Sequence, residues 1–546
     1  MGKLNKSELV EVSFTDFSGG YAGIKGTGTL KANEAKDLDN IVVLPSGAGF
    51  RARNGNLEHI VRPAATSMTL PTTVLGLLLF EYEGDTWILK ASRSGGLVSN
   101  EVYLESANVS ASSTAVTSEY ATASYTFTAN HQIQFHRVNN LLIGLPYTTG
   151  TVFWPPVQLA MSASGGAAAA SLFSGAVAEG RVGMFWNNRL WIGNLTGEQS
   201  KLKYSILAAS GVSFAASTSW TNSGSGFVEP ARGDGDELMA LAPISNNVML
   251  YFKKNSIHQV VGRSDPFSVF PLFQNVGAGG RGCVVEAEGL VYFITPDKRM
   301  LITDGSTILT EKDLPALGNA KDLWNGVSTS RLYLTQGFRH KGRDFDWIVW
   351  MTSSSGATTN DIAIIWDRIN QCWLRCSSGF NGNAVSGTPT QGTYIGGYSN
   401  ARIYKLDATT TYADYSYSTP LFGASNVQIA GTNPQVLTWY WRSDDMFFNS
   451  LSQIVNAKEV NVSVITTTTA DLDFAYSFNG AALSSTITKS IVPTSYNYVT
   501  TIYRPLGRGK SFGVKIFGND AAGYQVNSYS MKGQQQGRID TNKGLV

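Results

Sequence analysis

The chain has 546 residues, 43% hydrophobic and 11% aromatic, enough to bury a large core. Its 42 basic and 40 acidic residues leave a net charge of +2, which excludes a polycation gripping nucleic acid along its whole surface. Three cysteines exclude a disulfide framework, and five scattered histidines with one close pair, Cys372 and Cys376, argue against a metal site.

In chain order, the first dozen residues carry no apolar h-region, so no signal peptide is expected. Residues 1–71 read as an extended leader that packs on the main domain or a neighbouring subunit. Its first residues are also candidates to complete a β-domain. A helical turn is expected over 34–38, capped by Asn33. Strand runs then begin at 75–80 and 86–90, separated by the turn Glu83-Gly84-Asp85. One phrase keeps returning: a polar Asn or Gly turn followed by alternating bulky residues. It stands at Val138-Asn139-Asn140-Leu141, Trp186-Asn187-Asn188-Arg189, Ser245-Asn246-Asn247-Val248 and Ala287-Glu288-Gly289-Leu290. Residues 106–124 and 160–178 are rich in Ser, Ala, Thr and Gly and read as loop. A polar passage near 311–325 reads as helical.

The recurring turns stand roughly 40 to 60 residues apart, the period of propeller blades with three or four strands each. Each blade alone exposes an apolar face, so ring closure is the physical reason for the repetition. The expected fold is all-β: an irregular β-propeller over 72–410, counted as six-bladed, followed by a β-sandwich-like domain over 411–546 with a polar tail at Gln534–Arg538. Trp186, Trp191, Trp350, Trp366 and Trp373 lie in or beside strands and read as blade core. No stretch reaches the ~20 apolar residues of a membrane helix.

Few groups look catalytic. Gly507-Arg508-Gly509-Lys510-Ser511 ends like a phosphate loop, but Arg504 stands where that loop needs a glycine, and a strand follows where it needs a helix. It reads as a basic turn. Arg232-Gly233-Asp234 looks like an adhesion tripeptide but reads as an acidic turn. No catalytic residues, metal ligands or cofactor are assigned, and no enzyme activity is expected. The chain's last sixty residues are basic, with Arg504, Arg508, Lys510 and Lys515 among their cations.

The order of several phrases resembles the tail-hub or nozzle proteins of short-tailed bacteriophages, the tail tubular protein B-like group. They are Phe17-Ser18-Gly19-Gly20, Asn33-Glu34-Ala35, Leu38-Asp39-Asn40, Pro45-Ser46-Gly47 and Arg51-Ala52-Arg53 in the leader. In the middle come Asn188-Arg189-Leu190-Trp191, Phe252-Lys253-Lys254-Asn255-Ser256-Ile257 and Val291-Tyr292-Phe293 before Asp304-Gly305. The resemblance covers roughly residues 14–406. It implies a virion protein of the phage tail, assembled in the host cytoplasm as a homohexameric ring. The ring sits below the portal–adaptor complex, meets a tail fibre or a needle or tip protein, and retains and conducts packaged double-stranded DNA. The conduit is then expected between subunits rather than down each propeller axis. Arg504, Arg508, Lys510 and Lys515 are its lumen or interface candidates. The rival reading is a receptor-binding or glycan-binding or glycan-processing propeller, which in its hydrolytic form requires convergent carboxylates at one end of the ring axis.

Overall fold

The computed structural model describes residues 9–25, 30–31, 33–59, 71–82, 84–94, 102–108, 120–122, 131–147, 155–161, 167–173, 179–209, 211–388, 391–397, 403–407, 413–416, 433–443, 446–447, 453–466, 469–493, 498–505, 507–518 and 524–538. Among them, seven sheets, each antiparallel through its first four strands, follow one another as blades of a propeller. Their innermost strands are, in order, Pro71–Tyr82, Gln132–Val138, Gly180–Trp186, Leu238–Ser245, Val284–Ala287, Gln336–Lys341 and Gly382–Thr388.

The ring closes because blade one packs on blade seven: Val74, Leu77, Leu79 and Ile88 share a core with Ala384, Tyr394 and Ile403. The blade count is therefore seven, not the six read from spacing. The seventh blade takes its fourth strand, Leu57–His59, from the leader, where it pairs antiparallel with Ile403–Lys405. Helical turns at Pro315–Ala320, Lys321–Asn325 and Thr329–Leu334 also stretch the spacing before blade six and blur the period. The passage expected to be helical near 311–325 is so in part.

The recurring turn does two jobs. Asn187 and Asn188 both have positive φ (56° and 55°), as do Glu288 and Gly289 (55° and 79°), the geometry a tight two-residue hairpin needs. Turn side chains also hook the following blade. The Asn139 amide donates to Ala208 O at 3.4 Å and the Asn187 amide to Gly262 O at 2.9 Å, while Glu288 accepts from Arg339 and Arg368 of blade six. Trp191, Trp350 and Trp373 are fully buried and Trp186 and Trp366 nearly so, as a core role requires.

The second body is a two-sheet sandwich. One sheet runs Tyr498–Tyr503, Gln453–Thr466, Tyr524–Arg538, Phe50–Ala52, Ile41–Val43, with Leu9–Phe14 also pairing along Tyr524–Arg538. The other runs Asp37–Asp39, Trp439–Arg442, Ser511–Gly518, Ala470–Phe478, Ile487–Ile491. The leader thus supplies strands to both sheets. Phe17, Phe50, Trp441 and Tyr529 meet in the sandwich core, with Phe17 and Trp441 edge to face at 5.5 Å.

Three local expectations are overturned. Residues 34–38 are not helical: Glu34–Ala35 and Asp37–Asp39 are short strands, held by pairing with Gly20–Tyr21 and Trp439–Arg442. Ala167–Leu172, expected as loop, is the outer strand of blade two, since small residues are tolerated at a blade's edge. Gln534–Arg538 is no free tail but the end of a strand paired with Gln453–Thr466. The Glu83 turn position and most of 106–124 lie outside the described residues. Among the described residues no helix is long and apolar enough to cross a membrane.

Propeller and sandwich join through the leader and the outer strand of blade six, Cys372–Cys376. The Arg375 guanidinium donates to the Tyr440 hydroxyl at 2.5 Å and lies 3.4 Å from Asp37; the backbone N–H of Ser377 donates to Asp39 at 2.8 Å. Burial raises the Asp39 carboxyl above its usual range, while the Ser377 hydroxyl and Arg375 pull the other way. Asn40 N–H donates to Arg375 O, and the Asn370 amide to Val43 O.

Candidate functional site

Two regions merit a functional reading: the mouth of the propeller and the basic turn of the sandwich. At the mouth, inner strands begin. Gln132, at the start of blade two, donates to Leu334 O at 2.8 Å, ahead of blade six, and to Asn383 Oδ1 at 3.0 Å on blade seven. Asn383 donates in turn to Val74 O and His131 O, and Asn360 to Leu334 O and Gly382 O. Side chains therefore tie blades one, two and seven and the segment ahead of blade six together at this end of the ring.

Beside this bridge lies a cavity of about 640 Å³. Tyr147, Arg181, Asn194, Glu237, Lys254 and Tyr333 line it, all at or near strand ends on the mouth side of blades two to six. A second cavity of about 150 Å³ lies further along the same strands, bounded by Gln134, Arg281 and Glu286 among others. Arg281 stands between the two. Its guanidinium lies 4.6 Å from the Tyr147 ring centre and donates weakly to Arg181 O at 3.5 Å.

Burial dominates the electrostatics here. It lowers the Arg281 pKa to about 10 and that of Arg181 below its usual value, and it raises the Tyr147 hydroxyl well above its own. His136, half-buried nearby, is held down to about 4 by withdrawal of its ring from water and then by the Arg281 charge, so it is neutral at pH 7. Neither Arg281 nor Lys254 has a carboxylate within ion-pairing distance among the described residues. Glu237 is the single carboxylate among the described residues lining the larger cavity. Glycoside hydrolysis uses a pair of carboxylates across the scissile bond, and this lining supplies one.

The sequence-predicted cations divide between two places. Arg504, Arg508 and Lys510 are exposed on the segment that crosses from one sandwich sheet to the other. Arg508–Gly509 pairs with Gln453–Thr466, and the Lys510 N–H donates to Asn479 Oδ1 at 2.8 Å. No helix follows, as the strand Ser511–Gly518 comes next. Lys515 is half-buried on the second sheet, with its ammonium 4.3 Å from the Tyr440 ring centre and 4.7 Å from that of Phe517. Burial lowers its pKa. It belongs to the propeller–sandwich junction rather than to the exposed turn.

The Arg232-Gly233-Asp234 tripeptide is not presented as an adhesion motif, because Asp234 is committed to Lys253 at 2.6 Å. Among the described residues no group of three or more His, Cys, Asp or Glu is placed to hold a metal ion. The mouth residues escaped sequence reasoning because they are scattered from 147 to 333 with no local motif. Their common signal is position: Glu237 stands just before the first residue of one inner strand and Arg181 just after that of another.

No protein family and no curated relative matches the chain. Solved structures similar to it include an exo-beta-1,3-galactanase from Phanerochaete chrysosporium, 10% identical, covering 87% of this chain and 100% of that one, with a TM-score of 0.25. A glycoside hydrolase family 43 arabinoxylan arabinofuranohydrolase from Bacillus subtilis is 10% identical over 86% of this chain and 96% of that one, TM-score 0.24. The Neurospora crassa Pan2 WD40 domain is 8% identical over 64% and 92%, TM-score 0.35. At these scores no activity transfers, and the propeller assignment rests on the strand pairing above.

Proposed function

We propose that the chain is a structural subunit of a short-tailed phage tail nozzle, a virion protein that forms a homohexameric ring below the portal and adaptor, retains packaged DNA and provides its conduit. One observation carries this reading. The leader phrases that resemble the nozzle family are the residues that bolt the two bodies together: Gly20 packs against Cys372 and Trp373, Asp39 and Asn40 bond to blade six, and Arg53 donates to Ser378 O. The product is one two-body unit, a suitable building block for a ring. In a six-fold ring each exposed cation is repeated six times, so Arg504, Arg508 and Lys510 would make charged rings able to steer a polyanion. Mass photometry of the full chain, alone and with the portal–adaptor assembly, tests the proposal. Hexamers on the adaptor are expected; monomers in both samples would overturn it.

A second reading, a glycan-binding propeller, is favoured by the mouth cavity, whose size falls within the roughly 300–1,000 Å³ of small-molecule sites. With one lining carboxylate, binding is the better-supported form of it than hydrolysis.

A further inference from the structure

We infer that the smaller cavity binds a small hydroxycarboxylate, its carboxylate held by the Arg281 guanidinium and its hydroxyl donating to Gln134. The cavity, of about 150 Å³, is bounded by the inner strands of blades two to five, with Arg281 on the helical turn just before the fifth. The inference is independent of the ring and of the glycan-binding reading, which concerns the larger cavity.

The argument starts from charge. Arg281 is half-buried, its guanidinium withdrawn from water, and its partners inside the protein are weak ones for a cation: Arg181 O at 3.5 Å and the Tyr147 ring at 4.6 Å. Among the described residues no carboxylate lies within ion-pairing distance of it. Glu286 also bounds the cavity, but its carboxylate accepts from the Gly289 N–H at 2.9 Å in the exposed turn of blade five, where water and salt screen it. Taking a cation out of water without an anion is costly. A bound carboxylate would offset that cost, and it matches the planar fork of a guanidinium with two parallel hydrogen bonds.

Charge alone would suit any small anion, and the rest of the lining narrows the choice. Gln134 bounds the cavity, and its Oε1 is buried without a hydrogen-bond partner among the described residues. His136 Nε2, two residues along the same strand, is a second buried acceptor of this kind. A buried acceptor left without a donor is costly, so the site calls for a ligand that brings a hydroxyl as well as an anion. Val182, Leu241 and Val284 bound the same space, which rewards a carbon body over a bare inorganic ion. The volume amounts to about five waters, room for a ligand of about five or six non-hydrogen atoms. A two- or three-carbon hydroxycarboxylate meets all of these demands.

Calorimetric titration of the full chain with racemic lactate tests this, with propionate, lactamide and inorganic phosphate as the other arms. Propionate lacks the hydroxyl, lactamide the charge and phosphate the carbon body. Lactate is expected to bind about tenfold tighter than propionate or lactamide, and tighter than phosphate. Arg281→Gln should bring lactate down to the level of lactamide. Gln134→Leu should bring lactate down to the level of propionate while leaving propionate unchanged, and it decides the location by itself should Arg281→Gln fail to fold. Equal binding of lactamide or of propionate would overturn the inference, as would tighter binding of phosphate. Lactate affinity unchanged in Gln134→Leu would overturn the location, and heat from none of the four probes would overturn the site altogether.

Discussion

Gln132 donates its side-chain amide to Asn383 Oδ1 at 3.0 Å, joining blades two and seven across the start of blade one. Both residues are buried, and Asn383 passes the connection on to Val74 O and His131 O. A propeller must hold its first and last blades together, and here a polar bridge at the mouth adds to the shared apolar core. Asn383→Leu would leave one Gln132 amide N–H without its acceptor, the other staying on Leu334 O, and would remove the donor to Val74 O and His131 O. The expected loss is about 2–4 kcal/mol, read as a lower denaturant midpoint by tryptophan fluorescence. An unchanged midpoint would show that the bridge is not a structural clamp.

The leader junction makes a sharper steric prediction. Gly20 has φ +56°, and a Cβ there would stand 2.6 Å from Trp373 O and 2.7 Å from Cys372 Sγ. Gly20→Ala should therefore destabilise by about 2–4 kcal/mol, combining backbone strain with overpacking. Limited proteolysis should then cut the leader first, because its contact with blade six is the one lost.

Glu288 links stability to pH. Hydrogen bonds from Arg339 and Arg368, then their charges, hold its carboxyl down to about 2 from an ordinary 4.5. A depressed acid contributes stability that is fully present above the unfolded value and lost as pH falls through the folded one. The unfolding midpoint should thus fall between about pH 4.5 and about pH 2 more steeply in the native chain than in Glu288→Gln. Parallel profiles would remove Glu288 as a source of that slope.

Two neighbouring residues should behave oppositely. The Lys253 side chain is fully buried and paired to Asp234 at 2.6 Å, whereas Arg232 is 83% exposed. Asp234→Ala leaves a buried ammonium with a single weak acceptor, Pro230 O at 3.4 Å, and should cost about 3–5 kcal/mol. Arg232→Ala should stay within about 0.5 kcal/mol. Cell-adhesion assays should show no effect of either, since the aspartate is spent on folding; adhesion lost with Arg232 alone would contradict that.

Much of this architecture was legible in the chain itself. The Asn187-Asn188 turn, the alternation on either side of it and the buried Trp191 are local features, set by φ preference and by which side chains a pleated strand hides. They determined an all-β repeat protein with tryptophan-filled blades. What they left open was pairing, because a strand's hydrogen-bond partners are not written in its own composition. Leu57–His59 completes a blade with Ile403–Lys405, and Leu9–Phe14 pairs with the far end of the chain. Only the closed tertiary structure decides such contacts, and with them the seventh blade and the woven sandwich. The mouth cavity is of the same kind. Arg181, Glu237, Lys254 and Tyr333 share no motif; the ring brings them together because each lies where a blade begins or turns, and a closed ring gathers those ends around one axis.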